Sequence, residues 1–584
     1  MLLGLAYGLN MPLFEAPDEP GHYLFVRYLQ AYRALPVQTE VFDAPRAHHP
    51  PLYFALAALA SGWVRDLGDP DSIHMTPNPH FGYRPDDPYP DNKAVYLHNG
   101  PEERWPFAGQ ARAVYVIRLV SLAFSTLAVA ATFGAALALR PGALGFAVLA
   151  AGLVAFNPMV LFMAGQVSND TGALAGGAVT VYLLSYFARR GWTPARWALV
   201  GLALAAATLL KASGLLLAVP IGIALAGEWA RAGRWADRLR AVLALGTPPL
   251  LLAGWWFWRN VQLYGDFSGN AAVGLVNGRV PEGQQWASLV EHLGWLWQGT
   301  VGCAPLGPFS ACFPTWVYGV ALGLTVLALA GAARLVWRRG WPAWGATTGR
   351  LWLAHGVLAA AVIGAVFVYA LSFQNAWAGR LLFPAFTSLA LVLAAGALAW
   401  APTPRGRGLV VAGVLAALVA LDGYGLVSII LPRYGVPRAP TAAEQQAMTP
   451  LDAQLGEAAR VRGYQLEHVD ADASGVVAVT VYWEPLAVTD RPYSVFIHVL
   501  NSDGQSLAQR DTYPGLGNWA TTLWVPGRAF ADTYRLFLPP DTSVPEGAFV
   551  VLGLYDEATG QRLPATGTDV DAAQNWVVLP LSAR

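Results

Sequence analysis

Charge, lysine and cysteine are all scarce in this 584-residue chain. Charged side chains make up 13% of it, roughly half the share of an ordinary soluble domain, which excludes a fully solvated surface. The formal net charge is +0, so no basic stripe or acidic tail argues for nucleic acid or a charged partner. Of the 37 basic residues only Lys93 and Lys211 are lysines, and any lysine placed in such a chain merits attention. Cys303 and Cys312 are the only cysteines, both in "GCAPLGPFSAC". Two thiols in one short Pro/Gly loop favour a disulfide in an oxidising compartment. The opening "MLLGLAYGLNMPLF" lacks the basic leader of a signal peptide. It reads as a first helix, clipped at its start.

Apolar length is abundant: 55% of residues are hydrophobic. Runs of about 20 apolar residues, each enough to cross ~30 Å of hydrocarbon, recur as far as Ile430. About eleven spans are expected, near 1–14, 113–139, 142–163, 171–188, 197–210, 214–228, 241–258, 316–334, 351–371, 381–400 and 409–431. One set of alternate loops holds about 14 basic residues, from Arg140 to Arg407. The opposite set holds Lys211, Arg259, Arg279 and Arg380. Positive loops stay inside, so the N-terminus is expected in the cytoplasm and the long loop 15–112 outside. Within that loop "EPGHYLFVRYLQAYRAL" has an amphipathic helical pattern, and "HHPPLYFALAALASGWV" reads as an interfacial or re-entrant helix roofing a cavity.

After Pro432 the pattern changes. Residues 1–432 form the helical membrane domain, 433–450 a linker, and 451–584 a region of alternating strands such as "GVVAVTVYWEPL". Val477, Val479, Val481 and Trp483 share one face, and "NSDGQ" and "DEATGQ" are hairpin turns. The expected fold is a polytopic all-α membrane bundle followed by an all-β extracytoplasmic sandwich.

Chemistry concentrates in the outer loops. In "FEAPDEPGHY" two acids stand side by side just beyond the first helix. Asp18 and Glu19 are either helix caps or, in a cavity, a general base and a metal or substrate ligand. Asp170 in "QVSND" is likewise a cap or a second acid. Lys211 ("LLKASG"), Arg259 ("WWFWRNVQLYGD") and Arg380 ("GRLLFP") end spans on the outer side. They either snorkel or gather round a phosphate. The loop histidines match no metal spacing, and His22, three after Glu19, is the one expected to face the same cavity. Trp483, Trp519 and Trp524 could stack on sugar rings or fill the sandwich core.

Together "PDEPGHY", "HHPPLYF", "SND", "LLKASG", "WWFWRNVQLYGD" and "GRLLFP" resemble the GT-C membrane glycosyltransferases, in the branch of protein O-mannosyltransferases and aminoarabinose transferases, over residues 1–430. The resemblance implies an inverting, cell-envelope enzyme of glycan biosynthesis. It would move a sugar from a polyprenyl-phosphate donor to an extracytoplasmic protein, lipid or glycan. Asp18 would be the base, Glu19 and Asp170 would position substrate or a divalent metal, and Lys211, Arg259 and Arg380 would neutralise the lipid phosphate. Where some relatives carry lysine before "PPL", this chain has His49, an imidazole that would hold phosphate less firmly. Two other readings stay open: a non-catalytic glycan binder or exporter, and a polysaccharide polymerase or ligase.

Overall fold

The computed structural model describes residues 1–39, 44–81, 92–98, 100–231, 234–303, 312–339, 346–374, 378–469, 475–539 and 544–581. The N-terminal part is helical: α1 (Leu2–Asn10), α2 (Glu19–Tyr32), α3 (Leu52–Ser61), α4 (Gly109–Leu139), α5 (Leu144–Ala155), α6 (Pro158–Ala164), α7 (Asp170–Arg190) and α8 (Pro194–Leu210). Further long helices follow as far as Tyr434. Among the described residues eight helices are long and apolar enough to cross a membrane, and nine if the α5–α6 pair, bent by 58°, counts as one span. The count is below the expected eleven because α1 has 9 residues and α8 has 17, short of the ~20 that a full crossing needs. The α5–α6 bend falls at Asn157-Pro158. Pro158 cannot continue the α5 hydrogen-bond ladder, and Asn157 caps the new helix by accepting from the Val160 N–H. Central α7 is the most enclosed span, with 72% of its most apolar window buried.

The segment between α1 and α4 builds its own core over one end of the bundle. Phe14, Tyr23, Phe25, Tyr53, Phe54, Val114 and Ile117 are buried together, and the Phe25 and Phe54 rings stack at 4.1 Å. Burying each such side chain contributes about 1.5–3 kcal/mol, which fixes α2 and α3 as a rigid cap. The α3 helix packs against α2, α4 and α8, so the "HHPPLYF" stretch roofs the bundle end.

Two five-stranded antiparallel sheets close the chain. One runs Ala565–Gly567, Thr449–Leu455, Ala459–Val469, Val476–Pro485, Phe530–Phe537. The other runs Val570–Asp571, Trp576–Pro580, Phe549–Asp556, Tyr493–Leu500, Ser506–Thr512. Val477, Val479, Val481 and Trp483 all lie in the core between them, together with Trp524, while Trp519 packs partly buried against it. The tryptophans thus fill the sandwich rather than offering a sugar platform. This domain rests on the first long loop: His80 Nε2 meets Ser494 Oγ at 2.8 Å, Thr512 Oγ1 donates to Asn92 Oδ1 at 2.7 Å, and the Lys93 N–H donates to the Leu516 carbonyl at 2.7 Å. Loop and sandwich therefore lie at the same end of the bundle.

Candidate active site

The two adjacent acids part company at the start of α2. Asp18 has φ 63, in the left-handed region that Asp tolerates better than most residues, and its side chain makes no cap hydrogen bond. The turn sends Glu19 inward and Asp18 toward the bundle end. Glu19 is fully buried. Its Oε1 accepts from Arg118 Nε and the Val167 N–H, each at 2.9 Å, and its Oε2 accepts from Arg118 Nη2 at 2.7 Å and the Phe14 N–H at 2.9 Å. Arg118 spends its other donors on the carbonyls of Gly8, Met11 and Pro12, the open C-terminal end of α1. The geometry thus differs from the substrate- or metal-positioning role expected of Glu19, because every acceptor direction is already taken by protein. It acts as a brace joining α1, α2, α4 and the turn before α7.

Asp18 enters a cluster of charges drawn from distant parts of the chain. Its carboxylate pairs with the Arg380 guanidinium and lies 3.8 Å from Arg46 Nε. Arg380 also reaches Asp170 Oδ2 at 3.4 Å, and Asp170 pairs with the Lys211 ammonium. Asp170 is the first residue of α7; the Asn169 side chain before it makes no cap bond, and the Asp170 N–H donates to Ser168 Oγ at 3.2 Å. Neither acid is therefore the cap that the sequence allowed. The side chain of Asp18 is 32% exposed and that of Asp170 only 2%, so of the two Asp18 is the carboxylate a substrate can reach. Burial alone would raise the Asp18 pKa, but the Arg380 charge, helped by Arg46, holds it well below the usual carboxylate range.

The histidines line the same side. His22 lies one turn after Asp18 and is buried. Its Nδ1 donates to the Val167 carbonyl at 2.9 Å, while Nε2 is buried without a hydrogen-bond partner among the described residues. His49 lies 5.3 Å from the His22 ring and 4.0 Å from the His48 ring. Burial pushes His22 down to about 4 and His49 well below its ordinary value, so both are neutral near pH 7. His48 Nδ1 is 3.0 Å from Gln38 Oε1.

Arg259 does not join the cluster. Its Nη2 donates to the Pro36 carbonyl at 2.7 Å and its guanidinium lies 5.3 Å from the centre of the Trp256 ring. It holds the backbone at Pro36 and, among the described residues, meets neither Asp18 nor Asp170. Cys303 and Cys312 are joined in a disulfide, in a core with Phe313 and Tyr318, apart from the acids. Among the described residues no group of three or more His, Cys, Asp or Glu side chains is arranged to hold a metal ion; cations stand between the acids instead.

Sequence reasoning missed Arg46 and Arg118. A signal existed for Arg118: an arginine ten residues into an apolar helix needs a buried carboxylate partner, and Glu19 was available. Arg46, alone between two loop prolines, had no such signature. It reaches Asp18 because Gly21 leaves it room: a Cβ at Gly21 would lie 2.6 Å from Arg46 Cγ.

No protein-family model matches the chain, nor does any curated protein. Among solved structures it is similar to ArnT from Cupriavidus metallidurans bound to undecaprenyl phosphate, at 14% identity over 74% of this chain and 68% of that one, TM-score 0.42. The apo state of the same protein aligns with 62% of its chain covered, TM-score 0.39. The arabinosyltransferase EmbB from Mycobacterium smegmatis aligns over 99% of this chain and 64% of its own, at 13% identity and TM-score 0.28. The chain thus spans less than two thirds of two of these three chains, and each alignment is loose.

Proposed function

We propose that this chain is an inverting membrane glycosyltransferase that takes a sugar from a polyprenyl-phosphate donor and attaches it to a hydroxyl outside the cytoplasm. The observation that supports this most is the convergence of a partly exposed carboxylate, Asp18, with three cations, Arg380, Arg46 and (through Asp170) Lys211, at one end of an apolar helical bundle. A lipid-linked phosphate cannot leave the membrane interface, so its sugar must meet a base at the helix ends. Asp18 takes the proton of the acceptor hydroxyl, and the hydroxyl oxygen bonds to the anomeric carbon from the face opposite the phosphate. The carbon–phosphate oxygen bond breaks, and its electron pair leaves with the lipid phosphate, whose charge Arg380 and Lys211 neutralise. Both cations already hold carboxylates, so donor binding is an exchange: phosphate replaces Asp18 on Arg380 and frees it to act. The N-terminus is cytoplasmic and the sandwich extracytoplasmic in this reading.

The test is Asp18→Asn in proteoliposomes supplied with radiolabelled polyprenyl-phosphate sugars. Loss of the base costs about 10²–10⁴-fold in transfer without loss of folded protein. Wild-type transfer by folded D18N overturns the assignment.

A further inference from the structure

Beside the Asp18 cluster, His22 Nε2 is a buried ring nitrogen with no hydrogen-bond partner among the described residues. A carbonyl only accepts, so the contact of His22 Nδ1 with the Val167 carbonyl places the ring hydrogen on Nδ1. The Nε2 lone pair is then an acceptor, buried and without a partner among the described residues. A buried acceptor left unsatisfied costs about 1–3 kcal/mol, and a site tolerates that cost where a ligand supplies the missing donor. Asp18 stands just before α2 and His22 lies in its first turn, joined by the His22 N–H to Asp18 carbonyl bond at 2.9 Å; the two side chains are close enough for each charge to act on the other. The ring cannot swing away: Val167 holds one edge, and His49 and Phe54 stand against it at 5.3 and 5.4 Å between ring centres. The Val167 peptide is itself fixed, since its N–H donates to Glu19.

We propose that His22 Nε2 accepts a hydrogen bond from the acceptor alcohol and so aims the hydroxyl that Asp18 deprotonates. This rests on the transferase reading above and adds to it a residue that selects for a hydroxyl donor. The neutral state of the imidazole suits the task, because an imidazolium would have no lone pair to offer and would repel the neighbouring cations. A hydroxyl of the transferred sugar has the same chemistry, and the experiment separates the two.

In [15N]histidine-labelled protein in nanodiscs, methyl α-mannoside serves as the hydroxyl probe, and the His22 signals are those missing in His22→Asn or, should that variant not fold, His22→Gln. The expected result is a saturable shift of His22 Nε2 with Nδ1 unmoved. Absence of any shift, or a shift of Nδ1 alone, overturns the proposal. Turnover supplies the second arm. The Asn amide can still donate to Val167 but lacks the distal lone pair, so H22N should lose at least 10-fold in kcat/KM for the acceptor and keep the donor KM. Wild-type acceptor kinetics in H22N, or a loss confined to the donor KM, overturns it. D18N is assayed in parallel: an active D18N overturns the base reading, whereas an inactive D18N beside an unaffected H22N overturns only the role of His22.

Discussion

The Glu19 carboxylate is consumed by Arg118 and two peptide N–H groups, whereas the partly exposed Asp18 carboxylate pairs with the side chains of Arg380 and Arg46. The two neighbours should therefore answer mutation differently. Removing one partner of a buried pair costs about 3–5 kcal/mol, so Glu19→Gln should lower the melting temperature sharply, as read by thermal unfolding in detergent. Asp18→Asn gives up only the pairing of a partly exposed carboxylate, so it should melt lower than wild type by less than Glu19→Gln does, and lose transfer. Acidity gives a second contrast. With its folded pKa held far down by Arg380, Asp18 stays ionised throughout the neutral range, and it contributes stability above its unfolded value of about 3.9 that is lost only in strong acid. Arg380→Gln removes that hold, so its kcat/KM profile should gain an acid limb at a pH where the wild type is still flat.

The elements of the site are set by backbone contacts that no side chain can mimic. Gly379 lies against the end of the helix Gln285–Val301, and a Cβ there would sit 2.0 Å from the Thr300 nitrogen. Backbone cannot step aside as a side-chain tip can. Gly379→Ala should push Arg380 out of the cluster, costing about 1–3 kcal/mol of stability and more in activity than a change so small would suggest; both are read on one purified sample. The segment around Tyr96 is held differently. Glu15 accepts from the N–H groups of Val95 and Tyr96 and contacts His98 Nε2 at 3.0 Å, while Glu103 contacts His98 Nδ1 at 2.7 Å. Burial would lower the His98 pKa, but the two carboxylates outweigh it and raise it to about 9. A raised folded value means stability that is complete below the unfolded value of about 6.5 and lost as pH rises through 9. Amide exchange at residues 92–98 should accelerate between those limits, and His98→Gln should abolish that pH dependence.

Across the whole molecule the sandwich and the first loop share an interface, through His80, Asn92 and Lys93 on one side and Ser494, Thr512 and Leu516 on the other. The sandwich has a complete core of its own, so removing residues 440–584 should leave the bundle folded. It should also make residues 76–81 and 92–98 newly sensitive to limited proteolysis, while the Glu19–Arg118 brace preserves the melting of the helices.

The sequence alone determined the layers. Apolar runs of span length and the switch to alternating strands after Pro432 are local signals, and hydrocarbon and sheet pairing read them the same way in any fold. It also brought forward Asp18, Asp170, Lys211 and Arg380, because charge in so apolar a chain is conspicuous. Only the tertiary structure decided which charge meets which. One left-handed residue at Asp18 turned two adjacent carboxylates to opposite tasks, Arg259 went to the Pro36 carbonyl, and Arg46 and Arg118 arrived from positions 28 and 99 residues away from Asp18 and Glu19. Pairings of that kind depend on the close approach of segments far apart in the chain, and no local pattern encodes them.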